Sequence, residues 1–271
     1  MERIIARALA KVNLALNITG KANDGYHEMQ SIFAFLKDVY DELTFYPELE
    51  FGKNSAVIPD ISNNLILQAW DILKNNFDFK VPHVEIKKNI PICGGLGGGS
   101  SDAACFINAI FDLWEFSQSK KMSYIDLFRP LGADAKVFLF KYFTNSRFVY
   151  INGTGLDGEI LNINLPFSDE YILVINDGTK LSTKKVFDNF KEHFCKKIAK
   201  PEFLLKNPEN SLQNSALELA PHLKKVLNLL ARLSPITYGI SGSGATCYAV
   251  VKSTKIPAET MNYTYVALSR F

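Results

Sequence analysis

The chain has 271 residues, of which 47% are hydrophobic and 21% are charged, and its formal net charge is +2. This length and composition are typical of a globular protein with a sizeable core, and they exclude a disordered or low-complexity chain. The lysine pairs are scattered and form no basic stripe with interleaved aromatic residues, so we expect no nucleic-acid partner.

The sequence carries no signal for export, membrane insertion or disulfide formation. Its first residues, MERIIARALAK, are interrupted by charges, and no later segment approaches the roughly 18 apolar residues that a membrane span needs. The four cysteines match no zinc-site spacing, and we expect reduced thiols. We therefore expect a cytoplasmic protein without a membrane partner, either a monomer or a weak homodimer.

The N-terminal part of the chain has the alternating pattern of β-strands. In the first predicted strand, Lys11 and Asn13 share one face, because side chains two residues apart point the same way. The pair Asp24-Gly25 predicts a hairpin turn after that strand. The predicted strands cover residues 10–18, 31–39 and 41–46, and the turn region covers residues 21–29.

A helix and a further strand are predicted next. Helical spacing of apolar residues covers 62–76, with Ser62 or Asn63 as the N-cap. Alternation over 83–90 then predicts a strand that leads into a glycine-rich segment.

That segment, PICGGLGGGSSDAA, residues 91–104, has five glycines among six consecutive residues and precedes a predicted helix. Such a run is typical of backbone with φ > 0 or of close approach to the main chain. A serine stands where a Walker A loop needs lysine, and no register fits the dinucleotide fingerprint. Free amides before a helix still form an anion site, so we predict a phosphate loop of another kind. The alternative is a glycine turn that only lets a helix pack tightly on a sheet.

Helices and strands alternate in the remainder of the chain, which predicts an α/β or α+β fold. We place a domain boundary near residue 150, giving domains 1–150 and 151–271. The predicted elements are a helical region over 124–140 broken at Pro130 and Gly132, a hairpin over 146–160, a strand over 171–177, helices over 184–195 and 214–232, and two strands divided by ISGSGAT at 240–246.

Three ordered motifs resemble those of the GHMP kinases: AKVNLALNITG (10–20), GLGGGSSDAA (95–104) and ISGSGATCYAV (240–250). Shorter segments resemble the branch of that superfamily that phosphorylates a cytidine diphosphate linked to a branched polyol, in the non-mevalonate route to isoprenoid precursors. They are GYH (25–27), NNLI (63–66), LGAD (131–134), STKKVF (182–187) and SGSGA (241–245). The resemblance implies a two-domain GHMP-kinase fold with its active site in the cleft between the domains, and ATP and Mg²⁺ as cofactors.

The resemblance also implies roles for individual residues. Asp134 would be the general base, and Lys11 would keep it ionised and stabilise the transferring phosphoryl group. From the residues alone, Ser100, Ser101 or Asp102 is predicted to cap the helix after the glycine run, and we favour a cap over a metal-facing role for Asp102. The ATP phosphates would be held by Asn64, Gly94, Gly95, Leu96, Gly97, Gly98, Gly99, Ser100 and Ser101, with Ser101 as the candidate metal ligand.

For the second substrate, Tyr26 and Phe187 would stack on cytosine, with His27 and Thr183 reading its edge. The substrate-binding set implied by the family is completed by Asn13, Gly242, Ser243 and Gly244. Each residue also has an ordinary structural reading: an exposed edge-strand lysine for Lys11, a helix cap for Asp134 and Asn64, and packing or turn aromatics for Tyr26 and Phe187. His193 and His222 carry no motif and are interpreted as structural.

One departure from the family pattern lies beside the predicted base. The family usually continues with Val-Pro where this chain has Ala135-Lys136, which loosens the backbone and adds a cation near Asp134. Two other functions compete with the main hypothesis: another GHMP kinase acting on a mevalonate-type, homoserine or sugar acceptor, and a non-catalytic nucleotide-binding module. A dinucleotide-dependent oxidoreductase is less favoured, because the glycine fingerprint fails.

Overall fold

The structure is a computed structural model that describes residues 2–23, 25–50, 64–167, 169–191, 193–197, 200–206 and 208–271. Strands are β1 Ile4–Lys21, β2 His27–Glu50, β3 Pro82–Lys87, β4 Phe148–Gly153, β5 Gly158–Ile163, β6 Tyr171–Asn176, β7 Thr237–Ile240, β8 Cys247–Val251 and β9 Tyr265–Arg270. Helices are α1 Leu65–Asn76, α2 Gly98–Leu113, α3 Gln118–Ser123, α4 Ala133–Thr144, α5 Thr183–Asp188, α6 Gln213–Leu219 and α7 Leu223–Ala231, with 3₁₀ turns at Ile125–Leu131, Pro201–Leu205 and Ala258–Asn262. The mixture of helices and strands confirms the predicted fold class.

Two compact units divide the chain, and each is assembled from separate segments. Unit 1 contains residues 1–9, 40–89 and 98–146, and unit 2 contains residues 10–39, 90–97 and 147–271. The strands β1 and β2 and the glycine-rich segment each contribute residues to both units. The division into domains 1–150 and 151–271 stays a prediction.

Unit 1 is mainly helical. Its strand β3 pairs antiparallel with the second half of β2, from Glu42 opposite Lys87 to Tyr46 opposite His83. Helix α2 packs against α1 and α4, and its apolar face is buried as the helical spacing predicts. Large aromatic side chains fill this core, namely Phe45, Phe106, Phe111, Phe128 and Phe138.

Unit 2 contains most of the strands. The first half of β2 pairs with β4, which forms a hairpin with β5, and a second sheet has the order β7-β8-β6-β9. Apolar clusters lie on β1 and on these sheets, and α6 and α7 cover one of them. The hairpin and the strand pair around ISGSGAT confirm the sequence prediction.

Several predicted elements differ from the structure. The predicted strands 31–39 and 41–46 are one strand, β2, because Lys37 and Asp38 are exposed without ending the strand. The predicted helix over 184–195 ends at Asp188, and the amide of Cys195 instead donates to the carbonyl of Ile18 at 2.8 Å. The helix predicted over 214–232 is two helices separated at residues 220–222, where Pro221 cannot continue a helix.

The N-cap of α1 is Asn64, which confirms the structural alternative given for that residue, rather than Ser62 or Asn63. Asn64 caps this helix, with its Oδ1 accepting from the Ile66 amide at 2.9 Å. The predicted caps Ser62 and Asn63, like Asp24 of the predicted turn, lie outside the described residues. No helix among the described residues is long and apolar enough to cross a membrane.

Candidate active site

Ser241 is the point in unit 2 where the three ordered sequence motifs meet. Its hydroxyl donates to the carbonyl of Gly95 at 2.9 Å and accepts from the amide of Asn13 at 3.3 Å. The side chain is fully buried, so the contacts are made away from water. Sequence reasoning quoted Ser241 in the motif but gave it no role, because a loop serine has no distinguishing pattern before its contacts are known.

Lys11 and Asn13 lie side by side on β1, as the alternating pattern predicts. The Lys11 ammonium donates to Asn13 Oδ1 at 2.7 Å, and Asn13 Nδ2 donates to the Ser31 hydroxyl at 2.9 Å. Both side chains are buried, with 4% and 2% of their surface exposed. The interpretation of Lys11 as an exposed edge-strand lysine is therefore wrong.

A buried ammonium is costly unless it is paired, and Asn13 Oδ1 accepts one of the hydrogen bonds of Lys11. The ammonium also lies 5.3 Å from the ring centre of Phe33. Gly242 comes close to the same group: a Cβ added there would lie 3.4 Å from Lys11 Nζ and 3.2 Å from Asn13 Oδ1. The small-residue loop and the Lys11–Asn13 pair thus form one arrangement within unit 2.

The glycines of the 94–99 run do different things. The φ of Gly95 is +78°, and a Cβ added there would lie 2.3 Å from the carbonyl oxygen of Ser241. The group that approaches the Gly95 backbone closely is therefore another part of the same chain. Among the described residues, apart from its chain neighbours and its own helix backbone, nothing lies within 4 Å of a Cβ added to Gly99. The packing interpretation therefore accounts for Gly95, whereas Gly99, in the first turn of α2, has free space beside it within the described part of the chain.

Helix α2 begins at Gly98, so its first amides have no partner within the helix. Ser100 is partly exposed, and Ser101 is fully buried with its hydroxyl 3.0 Å from Tyr142 Oη. Tyr142 in turn accepts from the Leu9 amide at 2.9 Å. The first turn of α2 is thus fixed to α4 and β1 within unit 1.

The prediction that Ser100, Ser101 or Asp102 caps α2 is wrong, because all three lie inside the helix. Asp102 is buried and hydrogen-bonds to Lys88 instead, at 2.5 Å. Burial raises the pKa of Asp102 to about 7, and Asp41 adds to the effect, although the Lys88 ammonium opposes it. The ion pair with Lys88, and not the preference of aspartate for helix caps, therefore accounts for the contacts of Asp102.

Asp134 lies in the first turn of α4 and is partly exposed. The helix cap is Gly132, not Asp134, and an anion in a first turn is stabilised by the helix dipole. Lys136, the residue that departs from the family pattern, donates to Asp126 Oδ1 at 2.6 Å, and its amide continues the helix by donating to the Gly132 carbonyl at 3.2 Å. The helix therefore forms here without the family's proline.

The aromatic residues predicted for cytosine lie in unit 2, where Phe187 packs against the ring of His27. The His27 ring packs against Phe187 at 5.3 Å between ring centres and against Phe190 at 5.8 Å. The Tyr26 side chain is 56% exposed. Thr183, at the start of α5, has its hydroxyl 3.0 Å from that of Ser243, which joins α5 to the small-residue loop.

Within each unit the structure brings together part of the predicted site. Unit 2 holds Lys11, Asn13, His27, Phe187, Thr183 and the loops 94–97 and 242–244, whereas unit 1 holds Asn64, the residues 98–101 and Asp134. Among the described residues no group of three or more His, Cys, Asp or Glu side chains could hold a metal ion. A magnesium ion that keeps waters and phosphate oxygens as ligands needs no such group.

Models of one superfamily match two parts of the chain. The model described as the N-terminal domain of GHMP kinases matches residues 64–138, and the model of the C-terminal region matches residues 187–260. These segments contain the glycine run, Asp134, Phe187 and the small-residue loop.

Similar proteins with known names point to one member of that superfamily. A protein of Chloroherpeton thalassium (strain ATCC 35110 / GB-78) named 4-diphosphocytidyl-2-C-methyl-D-erythritol kinase is 33% identical, covering 90% of this chain and 87% of that protein. The crystal structure of a 4-(cytidine 5'-diphospho)-2C-methyl-D-erythritol kinase matches with 28% identity and a TM-score of 0.72, over 91% of this chain and 90% of that one. A homoserine kinase from Cytophaga hutchinsonii ATCC 33406 shares only the fold, with 13% identity and a TM-score of 0.64 over 99% and 95% of the two chains.

Proposed function

We propose, since this chain belongs to the 4-diphosphocytidyl-2-C-methyl-D-erythritol kinase family of GHMP kinases, that it phosphorylates the hydroxyl at position 2 of 4-diphosphocytidyl-2-C-methyl-D-erythritol. The chain is an ATP-dependent small-molecule kinase, and this substrate makes it an enzyme of the non-mevalonate route to isoprenoid precursors. The observation that carries the proposal is the 33% identity to a named relative over nine tenths of this chain.

In the proposed reaction, Asp134 accepts the proton of the substrate hydroxyl while its oxygen attacks the γ-phosphorus. The bond between that phosphorus and the β–γ bridging oxygen breaks, and ADP leaves. Lys11 stabilises the charge on the transferring phosphoryl group, and its buried setting supports this role because charges interact more strongly away from water. Phosphoryl transfer otherwise needs mainly positioning of the two substrates.

For the nucleotide, we propose that the backbone of residues 94–99 and the first turn of α2 bind the ATP phosphates, with Asn64 on the nucleotide side. The free space beside Gly99 among the described residues, and first-turn amides that have no partner within the helix, support an anion site here. Mg²⁺ would neutralise charge on the phosphates. Ser101 is its proposed protein contact, which requires the hydroxyl to leave the Tyr142 Oη atom that lies 3.0 Å away.

For the acceptor, we propose that Tyr26 and Phe187 hold cytosine, with His27 and Thr183 at its edge. The exposed face of Tyr26 leaves room for a flat base to stack. Asn13 and the residues 242–244 would contact the polar part of the substrate. A non-nucleotide acceptor has no use for this aromatic group.

The test is a turnover assay with ATP and Mg²⁺ that follows ADP release with three acceptors: 4-diphosphocytidyl-2-C-methyl-D-erythritol, mevalonate and homoserine. We expect turnover with the first acceptor only. We expect Asp134→Asn to lower kcat by at least about 100-fold, as loss of a general base typically does. Asp126→Asn, a nearby exposed carboxylate, is the matched control and should keep its activity.

Two results would contradict parts of the proposal separately. Turnover with homoserine or mevalonate, and none with the cytidyl compound, would contradict the proposed substrate and the proposed aromatic site for cytosine. Full activity of the Asp134→Asn protein would contradict the role of Asp134 as general base but not the proposed substrate.

A further inference from the structure

A buried group of three charged residues in unit 1 has no part in the proposed chemistry. The Lys88 ammonium donates to Asp102 Oδ2 at 2.5 Å and also to Asp41 Oδ2. Asp41 is fully buried, Asp102 is 5% exposed, and 22% of the Lys88 side chain reaches the surface. We refer to Asp41, Lys88 and Asp102 as the charged cluster.

The position of the charged cluster in the chain is unusual, because it joins the two ends of the glycine run. Lys88 lies just after β3 and before Pro91, and Asp102 lies in α2, three residues after Gly99. Asn89 reinforces the first end, since its amide donates to Asp41 Oδ1 at 2.5 Å and its Nδ2 donates to the Tyr40 carbonyl at 3.0 Å. The residues that enter and leave the run are thus held at a fixed separation.

Stability alone does not account for the charged cluster. Removing two carboxylates and an ammonium from water is expensive, and apolar side chains of similar volume often give equal or greater stability than a buried ion pair. The cost is visible at Asp102, whose Oδ1 has no hydrogen-bond partner among the described residues. Burial opposes ionisation of Lys88, but Asp102 and Asp41 outweigh it and raise the pKa of the ammonium. Lys88 therefore stays charged and depends on both carboxylates.

We propose that the charged cluster is a positioning device for nucleotide binding, which fixes the ends of the glycine run so that its amides meet the ATP phosphates without reordering. This inference rests on the proposed function, since it assumes that the run binds a nucleoside triphosphate. Lys88 and Asp102 act here through the backbone and are positioning residues. Preordering of a loop improves binding by reducing the entropy lost when the ligand arrives.

A second lysine that contacts α2, Lys121 on α3, provides a control. Lys121 is also a buried lysine, with 9% of its side chain exposed, and it pairs with Asp112 and, at 3.0 Å, with Asn108 near the C-terminal end of α2. Lys88→Met and Lys121→Met therefore each remove one buried ammonium held by α2. Only the first removal is next to the glycine run.

The experiment measures ATP binding by calorimetry, steady-state kinetics and thermal unfolding for both variants. We expect Lys88→Met to raise the Kd and KM for ATP roughly 10- to 100-fold, as loss of a residue that orients a binding group typically does. The KM for the alcohol acceptor should change less than threefold. Lys121→Met should lower the unfolding temperature less than Lys88→Met does, because its partner Asp112 is 60% exposed, and it should leave the Kd for ATP within about twofold. Lys88→Arg, which keeps a charge able to reach both carboxylates, should recover most of the affinity.

Each outcome is decisive. Equal Kd values for Lys88→Met and Lys121→Met would overturn the inference, as would failure of Lys88→Arg to improve on Lys88→Met. If Lys88→Met does not fold, the pair Asp102→Asn and Asp112→Asn makes the same comparison, and equal ATP affinities would again overturn it.

An unaltered protein that binds ATP but does not phosphorylate the cytidyl substrate would overturn the proposed substrate, while the two lysine variants would still decide this inference. An unaltered protein that binds no ATP would overturn both.

Discussion

Asn210 holds the small-residue loop 241–245 with a single side-chain amide. Its Nδ2 donates to the carbonyls of Ile240 at 2.7 Å and Gly242 at 2.8 Å, and its Oδ1 accepts from the Leu212 amide at 2.9 Å. A carboxylate cannot donate, so Asn210→Asp would place an anion against two carbonyl oxygens. We expect this variant to lose on the order of 2 kcal/mol of unfolding free energy and at least about tenfold in turnover, because the loop would shift.

Urea unfolding and the ADP-release assay check this expectation. Asn189→Asp is the comparison, because Asn189 is also partly buried and its Nδ2 donates to the Ser215 carbonyl at 3.4 Å and to the exposed Glu218 carboxylate at 3.0 Å, so the change adds an exposed like-charge pair. It should cost less than about 1 kcal/mol and leave turnover nearly unchanged. Similar losses in the two variants would show that Asn210 has no special influence on the loop.

At the scale of residues, the sequence predicted what depends on local periodicity and missed what depends on distant partners. The common face of Lys11 and Asn13 followed from alternation along one strand. Asp102 was interpreted as a cap, because nothing local reveals that Lys88 lies within hydrogen-bond distance of it. Ser241 and Asn210 could not be singled out, since their functions lie in contacts with residues far along the chain.

At the scale of elements, the glycine run divides into a packed part and an open part. Gly95 has positive φ and its Cα faces the Ser241 carbonyl, whereas Gly99 has helical neighbours and open space. Gly95→Ala should cost on the order of 2 kcal/mol through strain and steric conflict. Gly99→Ala should leave the protein as stable or up to about 1 kcal/mol more stable, because alanine favours a helix.

The effect of Gly99→Ala on ATP binding should be unfavourable, although its effect on stability is neutral or favourable. If phosphates occupy the space beside Gly99, a methyl group there would raise the KM for ATP about tenfold although the fold is intact. Thermal unfolding and ATP titration of both variants measure the two effects. A Gly99→Ala protein with unchanged KM for ATP would mean that the phosphates bind elsewhere on the run.

The elements themselves were predicted best where one pattern continued without tertiary interference. Helix α2 and the β4–β5 hairpin follow from spacing and glycine turns. Strand β2 was divided in two because charged residues interrupt its alternation, yet strand pairing with β3 and β4 continues on both sides. The residues around Cys195 were expected to be helical, but the Cys195 amide donates to the Ile18 carbonyl of β1 instead of to a carbonyl of a helix.

At the scale of the whole molecule, the superfamily and its fold class could be predicted because three motifs recur in order along the chain. The family models match only residues 64–138 and 187–260. The GYH segment, which pointed to a cytidyl substrate, lies outside both matched parts. The assembly of each unit from separate segments could not be predicted, because periodicity carries no information on which strands pair across long sequence separations.

The charged cluster also links the stability of the whole molecule to pH. An aspartate in the unfolded chain has a pKa near 4, whereas that of Asp102 in the fold is about 7. Between these values the folded protein keeps a proton that the unfolded chain releases, so stability must fall as pH rises through this window. Asp41 and Lys88 face Asp102 directly, and Cys105 and Tyr142 lie near it with raised pKa values, so neither loses its proton in the window.

Asp102→Asn removes this titration and leaves the other carboxylates common to both proteins, so the difference between variant and unaltered protein isolates it. We expect the unaltered protein to lose about 2 kcal/mol of unfolding free energy relative to Asp102→Asn between pH 5 and pH 7, with little further change up to pH 8. Urea unfolding of both proteins at unit steps of pH measures this. Lys88, charged throughout the range, cancels from the comparison. A difference that stays flat between pH 5 and pH 8 would mean that Asp102 is already ionised in the fold and that Lys88 fully compensates for its burial.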